Sequence, residues 1–184
     1  MDKKDYDLVV IGGGPAGITG AATAAGFGKS VALIDDHREL GGAGVNTGTA
    51  PSKTLRETAL ALSGARSRNL YGVDLSLRKE ATVADFLRHE RNVKTGLNMF
   101  VMEMLERSKI DVYCGNAIFT DDQTVIARPS KDGPETQLRG EVILIATGSS
   151  PVRPAIFPFD SSGVYDSDTI LELGRQPKTL LNLA

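Results

Sequence analysis

Apolar positions fall along this chain in two rhythms. Leu8-Val9-Val10-Ile11, Val31-Ala32-Leu33-Ile34 and Val142-Ile143-Leu144-Ile145 are short unbroken runs, the pattern of strands buried on both faces of a parallel sheet. They predict strands over residues 6–11, 31–34 and 141–146. Small residues from Ile18 to Gly26 predict a helix between the first two runs, which makes a βαβ unit. Leu55, Ala59, Leu62 and Ala65 recur at steps of three and four and predict an amphipathic helix over residues 52–67, with Pro51 in its first turn. Thr82, followed by Asp85, reads as the cap of a helix running to about Ser108. Its apolar stripe (Val83, Phe86, Leu87, Val93, Leu97, Phe100, Val101, Met104, Leu105) is expected in the core, with Gly96 allowing close packing. Arg88, His89, Glu90, Arg91 and Lys94 are expected on the solvated side.

Residues 110–115 predict a further parallel strand, with Cys114 as a small buried group. Residues 117–120, 124–128 and 136–140, separated by Asp121-Asp122 and Lys131-Asp132-Gly133-Pro134, predict a small antiparallel meander riding on the main sheet. Residues 66–79 read as a surface connection, and Pro151, Pro154 and Pro158 mark an irregular linker. Residues 166–173 predict a short helical turn capped by Ser167 or Asp168, and residues 179–184 begin like another strand.

Chemistry enters where the first strand stops, at Gly12-x-Gly14-x-x-Gly17. Gly12 permits the tight turn, Gly14 lets the backbone approach a pyrophosphate, and Gly17 lets the helix pack closely on the sheet. The helix N-terminus offers unpaired N–H groups and a positive dipole end to phosphates. Asp35 ends the second strand at the distance where such units place an acid on both ribose hydroxyls, and its charge would repel a 2′-phosphate. Strand, glycines, helix and acid together point to an adenine dinucleotide. A second glycine-rich stretch, Leu40-Gly41-Gly42-Ala43-Gly44, runs on to Gly48 and reads as a loop passing close against something.

Length and composition narrow the class. The 184 residues suffice for one domain with a real core, and 20 glycines suit an α/β protein rich in tight turns. A net charge of −2 with both signs interspersed points away from nucleic acid. The single cysteine excludes an intramolecular disulfide and fits a reducing cytoplasm, and the distant His37 and His89 suggest no metal cluster. The first apolar run is too short for a signal peptide, and no run reaches membrane-spanning length.

The first βαβ unit, Gly41-Gly42, Gly48-Thr49-Ala50-Pro51-Ser52-Lys53 and Ala146-Thr147-Gly148-Ser149 together resemble the pyridine nucleotide–disulfide oxidoreductases, over nearly the whole chain. The resemblance implies an α/β fold with a Rossmann-like FAD-binding domain of the glutathione reductase type, its parallel sheet incomplete and carrying a small antiparallel meander. It implies FAD at Gly12, Gly14, Pro15, Ala16, Gly17, Asp35, Asp36, Gly42, Thr47, Gly48, Lys53, Ala117, Ala146, Thr147 and Gly148. Within these, Ala117 would lie near the adenine, and Lys53 would favour negative charge on a reduced flavin. Residues 1–150 are then the first segment of the FAD domain, and residues 151–184 a linker and the start of an NAD(P)-binding domain.

One departure bears on activity. Where disulfide reductases carry two cysteines separated by four residues, this chain has Gly44 and Thr49, so dithiol–disulfide exchange is excluded there. The pattern is most similar to the soluble pyridine nucleotide transhydrogenases, which pass hydride from NADPH to NAD+ through FAD. In those the first cysteine is commonly retained, so Gly44 departs from them too. The implied partners are NADPH and NAD+ and, at full length, a second copy of the chain. The alternatives are a non-catalytic nucleotide-binding fragment, a dihydrolipoamide dehydrogenase-like protein that lost its cysteines, and a dehydrogenase using NAD directly.

Overall fold

The computed structural model of the chain describes residues 2–67, 82–130, 133–175 and 177–182. They divide into two compact units, Met1–Asn46 with Gly96–Ser150 and Thr47–Thr95 with Pro151–Ala184.

The first unit is built on a six-stranded sheet. Its strands are β1 (Asp2–Ile11), β2 (Val31–Asp35), β3 (Asp111–Cys114), β4 (Asn116–Phe119), β5 (Thr124–Arg128) and β6 (Thr136–Ile145), in the order β3-β2-β1-β6-β5-β4. β1 runs parallel to both β2 and β6, and β3 runs parallel to β2; β4, β5 and β6 pair antiparallel. Helix α1 (Pro15–Gly26) joins β1 to β2, with Pro15 in its first turn, where φ is preset and an N–H is not missed.

The apolar runs of β1 and β2 are unbroken because both faces of the sheet are covered there. Val10, Val31 and Leu33 pack with Ile18 and Ala21 of α1 and with Val101 and Leu105 near the C-terminal end of helix α4 (Val83–Arg107). Val9, Ile11, Ala32 and Ile34 form a second cluster with Val125, Ala127 and Leu138 of the antiparallel strands. Polar bonds tie the near end of the sheet: the Tyr6 hydroxyl donates to Asp111 Oδ2 at 2.5 Å and lies 2.8 Å from the Tyr113 hydroxyl. Burial first, then those two bonds, push the Tyr6 phenol above its ordinary range. The turn before β2 is held by Asp7, whose carboxylate accepts from Ser30 N–H at 2.7 Å, Ser30 Oγ at 2.6 Å and Lys29 Nζ at 3.0 Å.

Several expectations need correction. The strand ending at Ile145 begins at Thr136, so the third meander strand and the returning parallel strand are one, and the meander is part of the main sheet. That returning strand was expected to be buried, yet Val142 is 60% and Ile145 64% exposed. The reason is an open edge: pairing with β5 runs only from Thr136 to Arg139, and among the described residues no strand flanks residues 141–145 opposite β1. Cys114 is exposed, because β3 ends the sheet and only β2 flanks it. Phe100, expected in the core stripe, is 65% exposed beside Met99 at 60%. Gly96 faces open space and serves no close packing. Glu90, expected on the solvated face, is buried. The second glycine stretch is not all loop, since it contains the short helix α2 (Gly42–Val45).

In the second unit, helix α3 (Thr49–Ser67) begins three residues earlier than predicted, and the side chains of Leu62 and Ala65 lie outside the described residues. Thr82 and Asp85 form the reciprocal cap at the start of α4: Thr82 N–H donates to Asp85 Oδ2 at 2.9 Å and Asp85 N–H to Thr82 Oγ1 at 3.3 Å. A 3₁₀ turn covers Thr169–Glu172 with Asp168 at its N-cap position, one of the two expected there, but the side chain that bonds the turn's N–H groups is that of Asp166. Asp166 Oδ1 accepts from the N–H groups of Thr169 and Asp168 at 2.8 and 3.1 Å, and Oδ2 accepts from Arg153 Nε at 2.7 Å. Residues 179–182 form no strand, and most of the predicted connection at 66–79, the turn residues Lys131 and Asp132, and residues 183–184 lie outside the described residues.

Two outcomes are expected. Leu33 is fully buried in the first cluster, so Leu33→Ala should lower unfolding free energy by about 2–5 kcal/mol in urea titration. The bonds from Ser30, then Lys29, hold Asp7 well below the usual carboxylate range. A depressed carboxylate stabilises the fold above its unfolded pKa of about 4 and loses that contribution as pH falls through its lower folded pKa. Asp7→Asn should therefore be less stable than the parent chain at neutral pH, and the difference should shrink on acidification, as read by thermal midpoints across that range.

Candidate functional site

The site in the first unit starts where β1 stops. Gly12 has φ +106°, a conformation L-residues rarely adopt, and its N–H donates to Ile34 C=O at 2.8 Å. A β-carbon on Gly12 would sit 2.3 Å from the carbonyl oxygen of Ala146, and one on Gly17 would sit 1.9 Å from that of Gly12. Backbone therefore lies directly on backbone where β1, α1 and the end of β6 meet. Ala146 N–H donates to Ile11 C=O at 2.8 Å, which fixes Ala146-Thr147-Gly148 beside the turn. The first intrahelical bond of α1 runs from Ile18 N–H to Gly14 C=O at 2.9 Å. Helix geometry consequently leaves the N–H groups of Ala16 and Gly17 without intrahelical acceptors, while Pro15 has none to offer.

Asp35 stands at the end of β2 and is bound from two sides. Its Oδ2 accepts from Gly13 N–H at 2.6 Å, and its Oδ1 accepts from His37 N–H at 2.8 Å. A carboxylate has roughly four acceptor sites, so two remain for a ligand's hydroxyls. Asp36 is exposed and pairs with His37 Nδ1 at 2.5 Å. The ligand atoms of Asp35, Asp36 and His37 thus gather within 4.8 Å, a grouping not expected from the separated histidines. The hydrogen bonds of the turn account for it.

The second glycine segment closes on the first. Gly41 N–H donates to Gly13 C=O at 2.7 Å, and a β-carbon on Gly42 would lie 2.9 Å from Gly14 Cα. Asn46 holds the segment's far end: its Nδ2 donates to the carbonyls of Glu39 at 2.8 Å and Leu40 at 3.4 Å, and Asn98 Nδ2 donates to its Oδ1 at 3.1 Å. Ala117 lies on β4, two residues after Gly115, whose N–H donates to Asp35 C=O at 2.7 Å. That bond brings the start of β4 to the acidic end of β2.

Of the expected residues, then, Gly12, Gly14, Pro15, Ala16, Gly17, Asp35, Asp36, Gly42, Ala117, Ala146, Thr147 and Gly148 belong to the first unit. Thr47, Gly48 and Lys53 belong to the second, where Gly48 C=O accepts from Ser52 N–H at 3.0 Å and Lys53 is exposed just past the first turn of α3. Sequence reasoning overlooked Gly13, Asn46 and Gly115. Gly13 lies inside the motif but outside its spacing, and a β-carbon there would meet Leu40 Cδ2 at 2.6 Å. Gly115 bonds Asp35, 80 residues away, and Asn46 bonds Asn98, 52 residues away, besides the nearby carbonyls of Glu39 and Leu40, so neither carries a spacing that marks it in the sequence.

Comparison with known proteins follows the same lines. Residues 6–181 match the pyridine nucleotide-disulphide oxidoreductase family. The chain is 40% identical over 178 residues to the soluble pyridine nucleotide transhydrogenase of Mycobacterium bovis, covering 97% of this chain and 38% of that protein. It is 36% identical over 182 residues to the enzyme of the same name from Pseudomonas putida, covering 98% and 39%. Among solved structures, the Cu(II) complex of the HOCl-induced flavoprotein disulfide reductase RclA from Escherichia coli superposes with a TM-score of 0.76 at 28% identity, over 94% of this chain and 35% of that one. The chain therefore spans under two-fifths of the length of the curated relatives it matches. A family match across nearly every residue, together with the glycine turn and the acid beside it, places this chain in the pyridine nucleotide-disulphide oxidoreductase family.

Proposed function

We propose that this chain holds FAD as the FAD-binding part of a flavoprotein oxidoreductase, and that the longer protein transfers hydride from NADPH to NAD+ without a redox-active disulfide. The observation that carries the reading is the bare-backbone convergence of Gly12, Gly17 and Ala146 beside Asp35, a cradle that a β-carbon at Gly12 or Gly17 would fill. FAD, when bound, supplies hydride acceptance and return; the protein supplies orientation and electrostatics.

In this reading the N–H groups of Ala16 and Gly17 face the pyrophosphate, and the α1 dipole favours its charge. Asp35 takes the adenosine ribose hydroxyls with the acceptor capacity left by Gly13 and His37. Ala117 stands by the adenine, and Thr147 and Gly148 line the dinucleotide. Gly42, Thr47, Gly48 and Lys53 belong to the flavin end, where the Lys53 ammonium favours negative charge on the ring. Thr49 is no nucleophile in this scheme, and the only cysteine, Cys114, lies on edge strand β3. The transhydrogenase name of the relatives supports NADPH and NAD+ as the exchanging pair. A homodimer at full length and a cytoplasmic setting complete the proposal. A nucleotide-binding module without turnover is the second reading, favoured by the share of the relatives that the chain spans.

The purified chain should quench added flavin and carry FAD weakly or below stoichiometry, and NADPH should not bleach it. Absence of any fluorescence change on FAD titration would reject the reading. Asp35→Ala should weaken FAD about tenfold or more, the cost of losing hydrogen bonds to a charged group. Gly17→Ala should abolish binding and destabilise the fold, because its β-carbon would sit 1.9 Å from Gly12 C=O; FAD titration and thermal unfolding check both.

A further inference from the structure

A single residue joins the two edge strands of the sheet. β3 ends at Cys114 and β4 begins at Asn116, yet they stand at opposite ends of the strand order. The sheet therefore bends until its edges meet at Gly115, and β4 comes against β2. Gly115 is held from both sides at this joint. Its N–H donates to Asp35 C=O at 2.7 Å. A β-carbon on it would lie 2.2 Å from the carbonyl oxygen of Arg128, at the end of β5, and 2.9 Å from Pro129 Cα. Gly115 is not among the glycines with left-handed φ, so backbone conformation does not call for glycine. What leaves no room for a side chain is main chain, which cannot swing aside as the tip of a long side chain can. The strands fixed in this way cover one face of β1 and β2 through Val125, Ala127 and Leu138, and Ala117 packs against that cluster.

We propose that Gly115 is a positioning residue for the adenosine end of the dinucleotide: bare backbone at the joint of β3 and β4 sets how Ala117 stands against Asp35. The proposal rests on the dinucleotide reading and deepens it. In that reading Asp35 takes the ribose hydroxyls and Ala117 stands by the adenine, on two strands that are not neighbours in the sheet. Gly115 bonds the main chain of the first and lies two residues before the second. Relieving a β-carbon at 2.2 Å takes a main-chain shift of roughly 1 Å. Such a shift either breaks the bond to Asp35 or carries β4 and β5 apart, and both move one side of the pocket against the other.

The test uses the whole chain and two glycine variants, each titrated with FAD by flavin fluorescence and melted without ligand. Gly115→Ala should weaken FAD by about tenfold and lower the thermal midpoint, as one methyl forced into a filled contact does. Gly140→Ala is the control for lost stability alone. Its β-carbon would lie 2.7 Å from Val142 C=O, but Gly140 pairs with Tyr6, far down β1 from the glycine turn. It should lower the midpoint comparably and keep FAD affinity within about twofold of the parent. Unchanged affinity in Gly115→Ala, or an equal loss of affinity in both variants, would overturn the proposal. Should Gly115→Ala not fold, amide exchange in the parent decides. FAD should slow exchange at residues 115–117 as well as at 12–17, and no slowing at 115–117 rejects the proposal. Failure of the flavin reading shows separately, as a parent chain that does not quench FAD. In that event ADP, which carries the same adenosine, takes the place of FAD in calorimetric titration, and the same contrast between the variants decides. A parent chain that binds neither overturns the proposal.

Discussion

Everything in the first unit is arranged around peptide groups packed on peptide groups at the end of β1. Gly12 lies against Ala146, Gly17 against Gly12 and Gly42 against Gly14, each at a separation that leaves no room for a β-carbon. Side chains normally stand between a helix and the sheet it packs on. Here their removal lets α1 start almost on the strand ends, so its unpaired N–H groups open where β1 and β6 finish. The proposed dinucleotide reading rests on that proximity and asks for no cationic side chain.

Asp35 is the electrostatic counterpart of this contact. Its carboxylate is bonded from within the protein by Gly13 and from the following turn by His37. The acid is thereby held in one orientation by the protein's own backbone. Gly115 and Gly41 add backbone bonds that draw β4 and the second glycine segment to the same corner. Four stretches far apart in sequence thus meet through main-chain hydrogen bonds and steric bareness, and few of the groups involved are the charged ones that usually mark a site.

The family match and this geometry explain different things. Kinship with transhydrogenases bears on the chemistry of a protein more than twice this length. The geometry bears on how the end of β1, the start of α1 and the acid at the end of β2 are packed together. The open edge of β6 and the exposed Val142 and Ile145 belong to neither; they record that residues 141–145 pair on one side only among the described residues.

The βαβ unit, its glycines and its acid were legible in the sequence because each depends on neighbours within about one supersecondary unit. Burial of β1 and β2 on both faces follows from unbroken runs, and the Thr82–Asp85 cap from a three-residue spacing. The sequence by itself therefore determined the βαβ unit of β1, α1 and β2, the helices α3 and α4 and the glycine turn after β1. Only the tertiary structure decided that Cys114 and Phe100 face outward, that Glu90 is buried, that Thr136–Ile145 is one strand, and that Gly13 and Asn46 hold the turn and the second glycine segment in place. Exposure depends on which elements cover a position, and close approach depends on atoms brought together from distant parts of the chain; local periodicity encodes neither.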